Sequence, residues 1–357
     1  MNQADTRVFA AEILQRGCQA LAAHAASTLH ERHPDMATRF GADSFADWKT
    51  HFAQRFLELA AALRMGEPRI FVARVAWAYK AFQARQNDAE LLHASLVAMR
   101  DVLADSLPQP ARTLAIDIVG EAINSLADTA SLGPETGLDA RRANDRLALS
   151  YLQRVLSGDA PGATDEVLRA VAGGLPIRSA YLEVLIAAER EIGRLWHAGQ
   201  VSVAEEHLVS FAIQRTMAAL LHQSLVGVPN GKTAVFAAIE NNAHDIGLRA
   251  AADLYQLAGW RTIFLGADVP LEDILAMLDV FAADVLLLGV VLARQLPTAA
   301  ETIRLVHQRR ERKTLVIVGG AAFDDAPLLW ETLGADGYAA DLAAVEPLGA
   351  RLAGLRS

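Results

Sequence analysis

Apolar residues recur at helical spacing through the first third of the chain. Between about Thr6 and Ala130 the set Phe52, Phe56, Leu59 and Leu63 is typical, and no stretch alternates as a strand would. Proline-bearing breaks at Arg32-His33-Pro34, Gly66-Glu67-Pro68 and Pro108-Gln109-Pro110 divide this block into roughly five helices. Ser131 to Gly137 reads as a linker. A second helical block, about Asp139 to Val226, is broken at Ser157 to Gly162 and at Gly173 to Pro176. Its third helix puts Leu182, Leu185, Ile192 and Trp196 on one face. The next helix opens at Ser202, with Glu205 three residues on, a capping box that places Glu206 and His207 in the first turn or two.

After Pro229-Asn230-Gly231 the pattern changes to apolar runs alternating with amphipathic stretches. Thr233–Ile239, Thr262–Leu265, Val285–Val290 and Leu315–Val318 read as buried strands, with a short one near Tyr338. Helices are expected near Ile246–Leu257, Leu271–Phe281, Thr298–Arg309 and Pro327–Leu333. The fold class is therefore an α/β doubly wound parallel sheet at the C-terminal end, preceded by a four-helix block and an all-helical N-terminal domain. The expected boundaries are 1–134, 139–228 and 229–357. Ligands of such sheets bind beyond the carboxyl ends of the strands.

Composition narrows the function classes. At 357 residues and 52% hydrophobic the chain can bury more than one core. Cys18 is the single cysteine, which excludes an internal disulfide and any CxxC motif and fits a reducing cytoplasm. No apolar run approaches the roughly 20 residues of a membrane span, and the first residues lack a signal-peptide pattern. A net charge of -9 argues against a nucleic-acid footprint. The basic run Arg309-Arg310-Glu311-Arg312-Lys313 falls where a helix should end, as surface charge complementing the helix dipole.

The chemistry-bearing residues lie at the sheet edge and in the second helical block. His244 follows the first buried strand and precedes Gly247, where a ligand could approach a helix N-terminus. Glycines after the later strands, Gly266, Gly289, Gly319 and Gly320, remove bulk along the same edge. A G-x-G-x-x-G fingerprint after the first strand is absent, so a dinucleotide site is not expected. His24, His30, His33, His51 and His93 share no metal-ligand spacing and read as surface residues.

Asn242-x-His244-Asp245-Ile246-Gly247, Gly289-x-Val291-Leu292 and Gly319-Gly320 resemble the D-x-H-x-x-G, S-x-L and G-G signature of cobalamin-binding domains over about Lys232 to Leu352. That resemblance implies a Rossmann-like cobalamin-binding sheet with His244 as lower axial cobalt ligand and the cofactor base-off. Asn242 stands where the family has Asp, and Gly289 where it has Ser. The first change implies a neutral partner for the histidine and the second a different contact to the nucleotide tail. The preceding block resembles the four-helix cap of the same proteins. Trp196, nine residues and then Glu206-His207 match the W-x9-E-H motif of the CarH-type light-sensing cobalamin proteins. There the motif faces an adenosyl group, which implies adenosylcobalamin here. An indole supplies an apolar wall for a purine, and a carboxylate accepts from ribose hydroxyls. His197 matches the histidine that takes cobalt's upper face after light.

The N-terminal block departs from that family, whose first domain is a basic winged helix. Trp48-Lys49-x-x-Phe52 through Phe71 to Tyr79 resembles instead the helical domain of the photocobilins, which carry a noncovalent bilin. Trp77, Tyr79 and Phe82 are the residues that could line a biliverdin pocket. The leading expectation is a non-enzymatic light sensor, a homo-oligomer acting on an unknown signalling partner. A corrinoid methyl carrier of a methyltransferase system and a light-independent cobalamin-sensing regulator remain alternatives.

Overall fold

In the computed structural model the described residues are 3–36, 38, 41–84, 89–130, 137–309, 313–324 and 326–355. The chain forms two compact units, Met1–Gly133 with Leu292–Pro297, and Pro134–Val291 with Thr298–Ser357. Most of the linker Ser131 to Gly137, and Arg310 to Arg312 of the basic run, lie outside the described residues.

Among the described residues the first unit holds five long helices: α1 (Gln3–Arg32), α2 (Ser44–Met65), α3 (Pro68–Ala84), α4 (Ala89–Ser106) and α5 (Ala111–Ala130). Gly66, with φ 72°, ends α2 by turning its amide back to Ala62 and Leu63. Leu14, Phe52, Phe56, Leu59 and Phe71 are fully buried, as the helical spacing requires. A polar cluster lies among them. Arg55 and Glu58 form a buried ion pair at 2.9 Å, and Arg55 also donates to the Arg74 carbonyl at 3.0 Å. His51 is not a surface residue. Its ring packs against Trp48, Phe52 and Phe82, and burial, with the charge of Arg55, lowers its pKa to about 3.

The second unit begins with α6 (Ala143–Leu156) and α7 (Ala160–Ala172). Next comes α8, a continuous helix of Ile177–Ser179, the π-helical turn Ala180–Leu185 and Ile186–His197, followed by α9 (Val203–Gln223). The π turn inserts one extra residue and shifts the buried face. Tyr181, Val184, Leu185, Ala188 and Ile192 are inside, whereas Leu182, which the regular period puts on that face, is only half-buried. Helical periodicity assumes i→i+4 bonding, so this shift is invisible to it. Thr216 ties the helices together, donating to the Ala212 carbonyl while meeting the Tyr151 and Thr164 hydroxyls at 2.9 and 2.8 Å.

The sheet follows: β1 (Thr233–Ile239), α10 (Ile246–Leu257), β2 (Arg261–Val269), α11 (Leu271–Val280), β3 (Val285–Gly289), α12 (Leu296–Gln308), β4 (Leu315–Gly319), α13 (Leu329–Thr332), β5 (Gly337–Ala339) and α14 (Val345–Leu352). All pairings are parallel, in the order β2-β1-β3-β4-β5. The expected doubly wound sheet is thus present. Two local expectations change. β2 continues through Gly266 to Val269 where a loop was expected, because Gly266 (φ 88°) and Asp268 (φ 54°) absorb the register shifts against β1. The stretch expected as the helix Pro327–Leu333 is helical only over Leu329–Thr332, and a 3₁₀ turn, Ala321–Phe323, precedes it. Helix α14 packs on α10 through Tyr255, whose hydroxyl donates to the Val345 carbonyl at 2.9 Å.

Candidate functional site

Strand order reverses between β1 and β3, so the loops leaving those two strands flank the crevice where this architecture binds ligands. The loop after β1 carries the candidate histidine. Asn242 is fully buried there, and its Nδ2 donates to the Gly289 carbonyl at the end of β3 over 3.0 Å. The carboxamide therefore clasps the two strand ends across the reversal point. That bond fixes which way round the amide sits, turning Oδ1 toward His244. The His244 amide donates to Oδ1 at 3.1 Å, and ring Nδ1 lies 3.3 Å away.

An amide oxygen only accepts, so Nδ1 carries the proton and the lone pair sits on Nε2, the tautomer an axial metal ligand needs. Aspartate here would set a carboxylate oxygen against the Gly289 carbonyl. Asparagine satisfies both neighbours, which is the physical reason for the departure from the D-x-H pattern. The loop is further held by Asn241, whose amide donates to Asp268 Oδ1 at 2.6 Å, and by the Asp268 amide, which donates to the Asn242 carbonyl at 3.0 Å.

The remaining sheet residues divide. Gly247 is exposed, and a methyl group built on it would meet nothing within 4 Å; Gly289 would receive one in ordinary contact with Leu248 and Ala238. Both leave room for a ligand. Gly320 has another reason to be glycine: at φ 110° a Cβ would run into the Val290 carbonyl, so backbone approach alone demands it. Gly319 ends β4, paired with Gly289 and Ala339. Asp245 precedes the first turn of α10, and Ile246 packs into the helical core as well as bordering the loop. Val291 and Leu292 are both half-buried; Val291 belongs to the second unit and Leu292 opens the stretch Leu292–Pro297 that groups with the first.

The helical residues meet at the α8–α9 turn. Gly199, at φ 69°, donates to the Trp196 carbonyl and Gln200 to the Leu195 carbonyl, which stops α8 just after His197. Ser202 then opens α9 with the expected capping box, its hydroxyl accepting from the Glu205 amide at 3.2 Å. Trp196 and His197 are both half-buried. Glu206 and His207 leave the helix about 100° apart, as consecutive helical residues do, yet their polar ends meet. Glu206 turns toward α8, and Ser210 donates to its Oε1 at 3.0 Å. His207 faces outward beside Phe211, its Nδ1 2.5 Å from Glu206 Oε2. Val203 and Phe211, one turn either side of His207, are 52% and 65% exposed, an uncovered apolar strip of the kind that marks a binding surface.

Two residues that the sequence did not single out matter here. Glu189 reaches Ser210 from α8, its carboxylate oxygens 3.0 and 3.1 Å from the hydroxyl. Asp253 on α10 lies 2.9 Å from the Tyr181 hydroxyl and links the helical part to the sheet part of the unit. A Glu at a helical position or an Asp on an amphipathic helix reads as ordinary surface charge, so no local signal finds either. Among the described residues no cluster of three or more His, Cys, Asp or Glu side chains could hold a bare metal ion. A corrin supplies its own equatorial nitrogens and asks the protein for an axial donor, which His244 Nε2 fits.

A Rossmann-like sheet with this histidine at its reversal point, joined to a helical bundle, defines a cobalamin-binding module. Residues 147–221 and 232–345 each match a B12 binding domain. The HTH-type transcriptional repressor CarH of Myxococcus xanthus is 32% identical over 184 residues, 52% of this chain and 60% of the repressor. Dimethylamine corrinoid protein 1 of Methanosarcina acetivorans is 28% identical over 159 residues, 43% of this chain and 73% of that protein. The monomethylamine corrinoid protein of Methanosarcina barkeri superposes with TM-score 0.49 at 19% identity, over 59% of this chain and 100% of that one. The chain thus spans 60% of the length of the repressor it matches, and it carries a cobalamin-binding module. No described helix is long and apolar enough to cross a membrane.

Proposed function

We propose that this chain is a light-responsive signalling protein that holds adenosylcobalamin. His244, oriented by Asn242, would hold the cobalt through Nε2, and Gly247 and Gly289 would leave room for the cofactor against the sheet edge. Trp196 walls the adenosyl group, and Glu206 accepts from its ribose hydroxyls. Bound adenosylcobalamin would supply a cobalt–carbon bond that light can cleave. His197, at the end of α8, stands beside Trp196 as the candidate donor to the upper face afterwards. The observation that carries the reading is the α8–α9 turn, which holds Trp196 and Glu206 at a bundle edge beside exposed Val203 and Phe211. A methyl carrier has no use for such a nest. Loss of the upper ligand would release Trp196 and shift the packing or assembly of the protein toward a second state.

A second reading, a corrinoid methyl carrier, is supported by the likeness to dimethylamine corrinoid proteins. Visible spectra and oligomer size of the loaded protein, before and after green illumination, separate the two. A spectral change to a stable bis-histidine form, coupled to a change in size, is expected; a light-inert methyl form consumed by a thiol acceptor would refute the sensor. Trp196→Ala should uncouple the two responses while sparing cofactor binding.

A noncovalent biliverdin in the first unit is the remaining part of the proposal. Its support is the buried group Trp48, His51, Phe52 and Phe82 beside Arg55 and Glu58. There His51 Nε2, Arg55 Nε and Glu58 Oε2 have no hydrogen-bond partner among the described residues. Carboxylates and pyrrole N–H groups would satisfy such atoms. Phe82 belongs to this group, whereas Trp77 is 42% exposed. Pigment extraction from cells supplying biliverdin tests it.

A further inference from the structure

We propose that Glu189 is a positioning residue of the upper-face pocket: it donates to the Ser210 hydroxyl, which in turn donates to Glu206 and fixes where that carboxylate points. This rests on the reading of Trp196 and Glu206 as the adenosyl-facing pair. Glu189 and Trp196 are seven residues apart on α8 and share a face, about 10 Å apart along the helix. Glu206 and Ser210 share a face of α9 in the same way. Ser210 Oγ meets Glu189 Oε1 at 3.0 Å, Glu189 Oε2 at 3.1 Å and Glu206 Oε1 at 3.0 Å.

A hydroxyl has one proton to give, and ionised carboxylates only accept. Both contacts are hydrogen bonds only when one carboxyl is protonated, and the surroundings decide which. The other oxygen of Glu206 is already taken, lying 2.5 Å from His207 Nδ1. Glu189 has no cation against it among the described contacts. The titratable groups facing it are Glu206 from α9 and Tyr151 from α6, the latter a neutral phenol whose pKa is pushed up to about 12, chiefly by burial. On α8 itself Glu191 is taken up by Arg194 at 2.6 Å. Burial, and then the charge of Glu206, push the Glu189 carboxyl up to about 7 against the Ser210 hydrogen bond.

The chain of donors then runs one way, from Glu189 to Ser210 to Glu206. When Glu189 ionises, two carboxylates compete for the Ser210 proton and Glu206 loses its fixed orientation. An upper ligand bearing ribose hydroxyls senses that change. A methyl group does not.

The test titrates the full-length protein in the dark with adenosylcobalamin and, separately, with methylcobalamin from pH 5.5 to 8.5, reading the visible spectrum. The ratio of the two affinities cancels the ionisation of His244, which both cofactors share. The ratio is expected to favour adenosylcobalamin below pH 7 and to fall about tenfold above it, the loss of one charge-assisted hydrogen bond. Glu189→Gln, whose amide donates to Ser210 at every pH, should hold the ratio at its acidic value throughout, whereas Glu189→Ala should lower it at every pH. A pH-dependent ratio that Glu189→Gln leaves unchanged overturns the role of Glu189 and spares the pocket. A ratio near one at every pH, insensitive also to Trp196→Ala, overturns the pocket itself and this proposal with it.

Discussion

Asp253→Asn should stabilise the protein at neutral pH and leave it nearly unchanged in acid. Asp253 is 8% exposed, and the Tyr181 hydroxyl lies 2.9 Å from its Oδ2 and 2.9 Å from the Met217 carbonyl. One O–H proton cannot serve both acceptors, so both bonds form only when Asp253 is protonated and donates to the tyrosine oxygen. Burial raises the carboxyl from 3.8 to about 6, opposed by the Tyr181 hydroxyl and Arg249. The folded state therefore holds this proton more tightly than the unfolded chain does. Its contribution to stability is full below about pH 3.8 and is lost as pH rises through about 6.

That loss amounts to about 3 kcal/mol. An amide in its place donates to Tyr181 at any pH, freeing the tyrosine proton for Met217. Urea unfolding of both proteins at pH 4.5 and 7.5 reads the difference, which cancels every other titrating group. The variant is expected to gain up to about 3 kcal/mol at pH 7.5 and only about 1 kcal/mol at pH 4.5. A difference that does not vary with pH, or a variant less stable at pH 7.5, would refute the proton count.

Gly320→Ala should cost about 3 kcal/mol, because the left-handed backbone and the Val290 carbonyl both reject a Cβ; a change below 1 kcal/mol in chemical denaturation would contradict this. Asn242→Asp should destabilise the cofactor-free protein by about 1–3 kcal/mol, since a carboxylate faces the Gly289 carbonyl. The same change should raise the His244 imidazole pKa in an NMR titration, and an unmoved pKa would mean that position 242 does not govern that ring.

Much of the fold was legible because its signals are local. Apolar runs of strand length between amphipathic stretches define a parallel sheet wherever they occur, and Ser202 with Glu205 marks a helix start without outside help. His244 was legible for the same reason, since a strand-to-helix turn is written within a few residues. The misses are of another kind. The π turn at Ala180–Leu185 breaks the period on which helical faces are read, and β2 runs four residues past its apolar stretch because pairing with β1, not composition, sets its end. His51 resembled the other scattered histidines, yet it is packed among Trp48, Phe52 and Phe82.

By itself the sequence determined the element types, the parallel sheet and the residue kinds at the candidate site. Only the tertiary structure decided what those residues do to one another. Asn242 gains its meaning from a carbonyl 47 residues away, Glu189 from a hydroxyl 21 residues away and Asp253 from a phenol 72 residues away. Propensity and periodicity act over a turn or a strand, whereas hydrogen-bond partners and shared protons are fixed by distances that exist only once the chain has folded.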